Sequence, residues 1–172
     1  MNLNRFLSYL LFPGITIHEI AHIVACLVLG VRIRKIKIIS FDEGYVVHDD
    51  SRSYKNIIIA IIPFFFNILI SIVCIFLIRM DINLILKILL VWIAISSLFF
   101  SVPSKQDAKN VFKSIKKSYT RSQPIWMWLI KIVLLPLTIV VLIISWLFKI
   151  LDHSFIFRII LVGFWVYLLI II

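Results

Sequence analysis

Long apolar runs separated by short polar segments set the pattern of this chain. Five runs cover about 6–29, 56–78, 82–102, 125–148 and 154–171. Each approaches the ~20 residues that an α-helix needs to cross a ~30 Å hydrocarbon core. The pattern therefore predicts about five transmembrane helices. Pro13-Gly14 interrupts the first run; the helix either begins there, since proline suits a first helical turn, or kinks there. Between the first and second runs the period changes. "VRIRKIKII" alternates apolar and basic residues, "FDEG" carries turn chemistry, and "YVV" resumes a β-prone run, which together predict a β-hairpin. Segment 103–122 sets Ala108, Val111, Phe112 and Ile115 at helical spacing among lysines. That spacing predicts a basic amphipathic helix lying on a membrane surface. The expected fold class is an all-α polytopic membrane protein with a small β-hairpin between helices 1 and 2. Residues 1–124 form the expected core, and 125–172 add two C-terminal helices.

Composition agrees with the pattern. The 172 residues are 63% hydrophobic, with a mean hydropathy of +1.13, too apolar for a soluble domain of this size. A net charge of +10 fits either nucleic-acid binding or the cytoplasmic loops of a membrane protein, and location decides. Twelve of the eighteen Lys and Arg fall in two segments between apolar runs, 31–55 and 103–124. If all five runs span, both segments lie on one side, which the positive-inside rule makes cytoplasmic. The N-terminus is then outside and the C-terminus cytoplasmic, and no nucleic-acid partner is expected. "IVAC" at 23–26 resembles a lipoprotein processing site, but a signal core rarely carries His-Glu and four further runs follow. Cys26 and Cys74 lie inside apolar runs and read as small buried hydrophobes.

The first run carries three ionisable residues, His18, Glu19 and His22, in "HEIAH". Histidines four apart share one helical face, one turn apart. This is the spacing by which two imidazoles hold one zinc ion, with the intervening glutamate as general base. The alternative is a chance HExxH of ordinary polar residues. Position argues against it, because an acidic residue at the centre of a spanning helix costs roughly 2.5–3.5 kcal/mol on insertion scales, which a bound metal offsets. Zinc needs a third protein ligand and an open fourth position. Three readings compete: Asp107 as ligand, Asp107 as a helix cap only with Ser104, and His48 as ligand. Asp81 and His153 fall near the opposite face. His22 lies about 12 Å in from the cytoplasmic end of its helix, so Asp107, just beyond the third run, must dip inward. Asn67 lies about 16 Å into the second helix, in the histidine layer. It either steadies substrate or oxyanion or bonds helices together. Pro63 frees a backbone carbonyl one turn away, for use by substrate or as a kink.

An HExxH in the first core helix, a β-hairpin after it, an Asn in the next helix and an Asp after the third resemble the site-2 protease family of intramembrane zinc metalloproteases. The resemblance covers roughly residues 12–110. It implies zinc held by His18, His22 and an Asp, here Asp107, with Glu19 as general base. It further implies cleavage of transmembrane or near-membrane segments of membrane-protein substrates, with the site open to the cytosol. The chain marks a divergent branch: Pro63 and Asn67 are four apart, and no Gly follows Asp107. Trp126, Trp128, Trp146 and Lys131, outside the resemblance, read as interface anchors. Two other functions compete: a non-proteolytic membrane protein keeping the metal site for binding or assembly, and a channel or transporter using the buried groups as a relay. Three ionisable residues within five positions of one helix favour the metal site. Substrate identity and oligomeric state are not encoded in these motifs.

Overall fold

The computed structural model describes residues 3–38, 44–102 and 104–120, together with single helical positions at Ile143, Trp146, Ile159, Ile160, Gly163 and Tyr167. The expected helices over 125–148 and 154–171, and with them Trp126, Trp128, Lys131 and His153, lie outside the described residues. Seven elements follow in order. Helices α1 (Leu3–Leu10) and α2 (Phe12–Val28) precede strands β1 (Ile33–Lys37) and β2 (Tyr45–His48). Helices α3 (Ser53–Ile78), α4 (Leu84–Phe99) and α5 (Lys105–Thr120) complete the described chain. The described part is mostly helical with one small antiparallel sheet.

Local chemistry explains the boundaries. The first apolar run breaks at Leu11, and Pro13 stands in the first turn of α2. At the other end Gly30 adopts a φ of 62°. Its N–H donates to Leu27 O at 3.1 Å, and the Val31 N–H to Cys26 O at 2.8 Å. This is the glycine-terminated helix end that satisfies two orphan carbonyls, and it turns the chain directly into β1. Val31 then packs with Cys26, Ala25 and Ile59. Asn83 caps α4 by accepting the Leu86 N–H at 2.8 Å, which starts that helix two residues later than the apolar run.

The break at Leu11 and the cap at Asn83 bear on the expectation of five spanning helices. Among the described residues α3 alone, at 26 residues, is long and apolar enough to cross a membrane. Helices α2 and α4 have 17 and 16 residues, or about 25 Å each at 1.5 Å per residue. The outward faces are nonetheless hydrocarbon: Phe65, Phe76 and Leu84 are 60%, 70% and 72% exposed. Only 22% of the most apolar window of α3 is buried, whereas the core helix of a water-soluble domain buries such a face.

Helices α2, α3 and α4 pack together, and α5 lies on α3. Gly14 permits a close approach of α2 to α4, since a Cβ there would stand 2.0 Å from Ser96 O. The Trp92 indole N–H donates to Leu10 O at 2.8 Å and tethers the α1–α2 junction to α4. The hairpin forms as expected, with Lys35 opposite Val47, Lys37 opposite Tyr45 and an irregularity between Ile33 and Lys35. The segment expected to lie on a membrane surface behaves differently. The apolar stripe of α5 is directed at α3: Val111 and Ile115 cluster with Ala60, and Ala108 is buried beside them in sequence. Only Phe112, at the stripe's edge, is 36% exposed. An apolar stripe at helical spacing is the same whether lipid or another helix covers it, and here the covering surface is α3.

Candidate metal centre

Packing α2 against α3, α4 and the start of α5 brings His18, His22 and Asp107 together. Their potential ligand atoms all lie within 4.8 Å of one another, and all three residues are buried. The two imidazoles meet edge to face, with centroids 5.0 Å apart. His18 Nε2 is 3.5 Å from Asp107 Oδ2, and His22 Nε2 is 3.4 Å from Asp107 Oδ1. Charge-assisted hydrogen bonds are shorter, about 2.7–2.9 Å. A tetrahedral ion with ~2.0–2.1 Å bonds to N and O ligands separates its ligand atoms by about 3.3–3.4 Å. The spacing therefore fits the edges of a metal tetrahedron better than direct contacts.

The other ring nitrogens complete that fit. His18 Nδ1 is 2.9 Å from Phe100 O, and His22 Nδ1 is 2.9 Å from Ile59 O. A carbonyl only accepts, so each Nδ1 carries the proton and each Nε2 presents a lone pair toward Asp107. Metal-ligating histidines are characteristically oriented by such a bond from the other nitrogen. Both carbonyls are available for physical reasons. Phe100 is the C-cap of α4, where carbonyls lack helical donors. Ile59 precedes Pro63, inside α3, by four residues.

Asp107 reaches this layer from the first turn of α5. The Ser104 N–H and Oγ–H donate to Asp107 Oδ2 at 3.0 and 2.6 Å, while the Asp107 N–H donates to Ser104 Oγ at 3.1 Å. The reciprocal cap and the approach to the histidines, which compete in the sequence, are made by the same carboxylate.

Glu19 stands on the same helix face, 7% exposed, and its Oε2 has no hydrogen-bond partner among the described residues. It lines a cavity of about 110 Å³ with His22, Asp107, His48, Ser104 and Gly44, among others. In the sequence Gly44 reads only as a turn residue. A Cβ there would stand 2.5 Å from Glu19 Cγ, so its lack of a side chain lets the hairpin close over the carboxylate. His48 borders the cavity but does not join the triad, and its Nδ1 donates to Asp49 O at 2.9 Å. Asn67 is fully buried. Its Nδ2 donates to Pro63 O at 3.1 Å and to Phe100 O at 3.4 Å. The amide thus supports the carbonyl that holds His18, and Asn67 is not among the residues lining the cavity. Asp81 lies exposed at the α3–α4 turn. The Phe100 carbonyl, the use of the Pro63-freed carbonyl by His22 and the Gly44 contact are the parts of the site that sequence reasoning misses. Proline inside an apolar helix is the one available signal for the Ile59 carbonyl.

The described residues thus combine a membrane-length apolar helix with a buried His-His-Asp cluster that could hold a metal ion, beside a glutamate whose Oε2 has no hydrogen-bond partner among them. A family model described as peptidase M50B-like matches residues 4–112, more than half of the chain, and the chain belongs to that family. The match bears out the resemblance to the site-2 proteases. Neither the curated proteins nor the solved structures contain a significant match.

Proposed function

We propose that this protein is an intramembrane zinc metalloprotease that hydrolyses peptide bonds in or near the transmembrane segments of membrane-protein substrates. The observation that carries the reading is the buried triad with both Nε2 atoms turned toward Asp107, beside the orphaned Glu19 Oε2. His18, His22 and Asp107 would hold zinc. When bound, zinc supplies Lewis acidity that lowers the pKa of water to about 7 and polarises a carbonyl. Glu19 Oε2 accepts the proton of the attacking water as its oxygen adds to the scissile carbonyl carbon. Glu19 then delivers that proton to the amine nitrogen as the C–N bond breaks. Asn67 acts by bracing the Phe100 carbonyl.

A helical substrate hides its carbonyls in its own hydrogen bonds, so it must unwind locally before cleavage. The hairpin offers pairing by strand addition. Tyr45, Val46 and His48 of β2 border both the 110 Å³ cavity and a wider one of about 440 Å³. The wider cavity gives an extended chain a route to Glu19 from the polar face of α5. The reading carries a multi-pass topology with the site facing the cytoplasm, in keeping with the basic segments 31–55 and 103–124.

Mapping of protein termini in membranes expressing wild type or Glu19→Gln tests the activity even while the substrate is unidentified. New termini within or beside spanning segments are expected with wild type alone, while both proteins keep equal zinc. Identical termini in the two membranes, with zinc retained, would favour a non-proteolytic metal-binding or assembly role.

A further inference from the structure

Proline inside α3 has a consequence that reaches the metal centre. In an α-helix the N–H of residue i bonds the carbonyl of residue i−4. Pro63 has no N–H, so the Ile59 carbonyl loses its helical donor. Ile59 is 1% exposed, and Pro63 ranks among the most deeply buried side chains. The residue is thus almost wholly withdrawn from solvent, and an unpaired buried carbonyl is costly. The donor that takes it is His22 Nδ1 at 2.9 Å.

We propose that Pro63 is a positioning residue of the metal centre. By removing the competing helical N–H, it reserves the Ile59 carbonyl for His22, keeps the His22 proton on Nδ1 and leaves Nε2 free for the metal. His18 reaches the same state by a different route, since the Phe100 carbonyl is released by the end of α4. One histidine is thus oriented by a helix end and the other by a proline. The inference rests on the zinc reading of the triad. A proline that acted only by bending α3 would be missed in the ester as much as in alanine, since neither carries the ring.

Pro63→Ala restores an N–H that competes for Ile59 O. The full chain in detergent micelles is titrated with zinc against a chromophoric chelator, as wild type, Pro63→Ala, and a variant with lactic acid at position 63. The last replaces the amide by an ester and, like proline, has no N–H. Pro63→Ala is expected to bind zinc about 10–100-fold more weakly, the usual cost of losing an outer partner of a ligating histidine. Its metal-free thermal midpoint should be equal or higher, because alanine favours helix. The ester should keep wild-type affinity. Equal affinity in Pro63→Ala and wild type, or an ester as weak as alanine, would overturn the proposal. Nitrogen-15 NMR of His22 in the metal-free protein separates this from failure of the zinc reading. The Nδ1–H form should dominate in wild type and lose ground in Pro63→Ala. If wild type binds zinc no better than Asp107→Asn, the zinc reading fails. An unchanged His22 tautomer in Pro63→Ala refutes the role of Pro63 in either case.

Discussion

The inner layer of α2, α3 and α4 and the outer layer of hairpin and α5 both carry ionisable and polar residues, used in opposite ways. In the inner layer His18, His22 and Asn67 are buried, and each is tied to a backbone carbonyl. In the outer layer Arg34 pairs with Asp49 and Lys117 with Asp50 at largely exposed positions. Exposed pairs are screened and contribute little, whereas a buried polar group must be satisfied or hold a function. Depth and backbone partner decide which ionisable groups do chemistry and which hold a surface together. Asp107 belongs to both layers, rooted in the cap of α5 and directed at the histidines.

Substitutions in the two layers should differ in effect. The largest effect is expected at Glu19, where Gln keeps the shape and removes the base. Wild-type-dependent new termini should fall about 10²–10⁴-fold, the range for a general acid–base group. Next comes Gly44, where the layers touch. Gly44→Ala must displace the Glu19 side chain or lift the hairpin, and a misplacement of about 1 Å can cost up to ~10²-fold. The same terminus mapping should show a clear loss with zinc content unchanged; undiminished cleavage would remove Gly44 from the account.

The smallest effect is expected at the outer pair. Hydrogen bonds from Lys117 and Asn56 hold the Asp50 carboxyl below its ordinary range. A depressed folded pKa means that the contribution is complete above the unfolded value, ~3.9, and is lost as pH falls through the folded value. Asp50→Asn should therefore shift stability by less than ~1 kcal/mol near neutral pH. The difference from wild type should vanish in acid below that folded value. A thermal-melt series across pH reads both, and a larger or pH-independent difference would contradict the ranking.

Much of the site is legible along the chain because spacing carries it. His18, Glu19 and His22 share a face by helical geometry alone, and the alternation in "VRIRKIKII" marks a strand wherever it packs. Asp107 is legible as cap or ligand but not as both, since the choice depends on how α5 meets α3. The partners of the histidines are not legible as side chains, because Ile59 and Phe100 act through their carbonyls, which every residue has; Pro63 marks the first as free but not as the partner of His22. The Gly44 contact with Glu19 depends on how the hairpin folds back, which no local pattern states. The covering of α5 departs from expectation for a similar reason, because its apolar stripe does not specify its neighbour.

In the proposed enzyme His18, His22 and Asp107 form one zinc site. Metal analysis of purified wild type beside His18→Ala, His22→Ala, Asp107→Asn and His48→Ala tests it most directly. About one zinc per chain is predicted for wild type and His48→Ala, with loss in the other three. Zinc retained in Asp107→Asn but lost in His48→Ala would contradict the assignment, as would a wild-type protein without zinc.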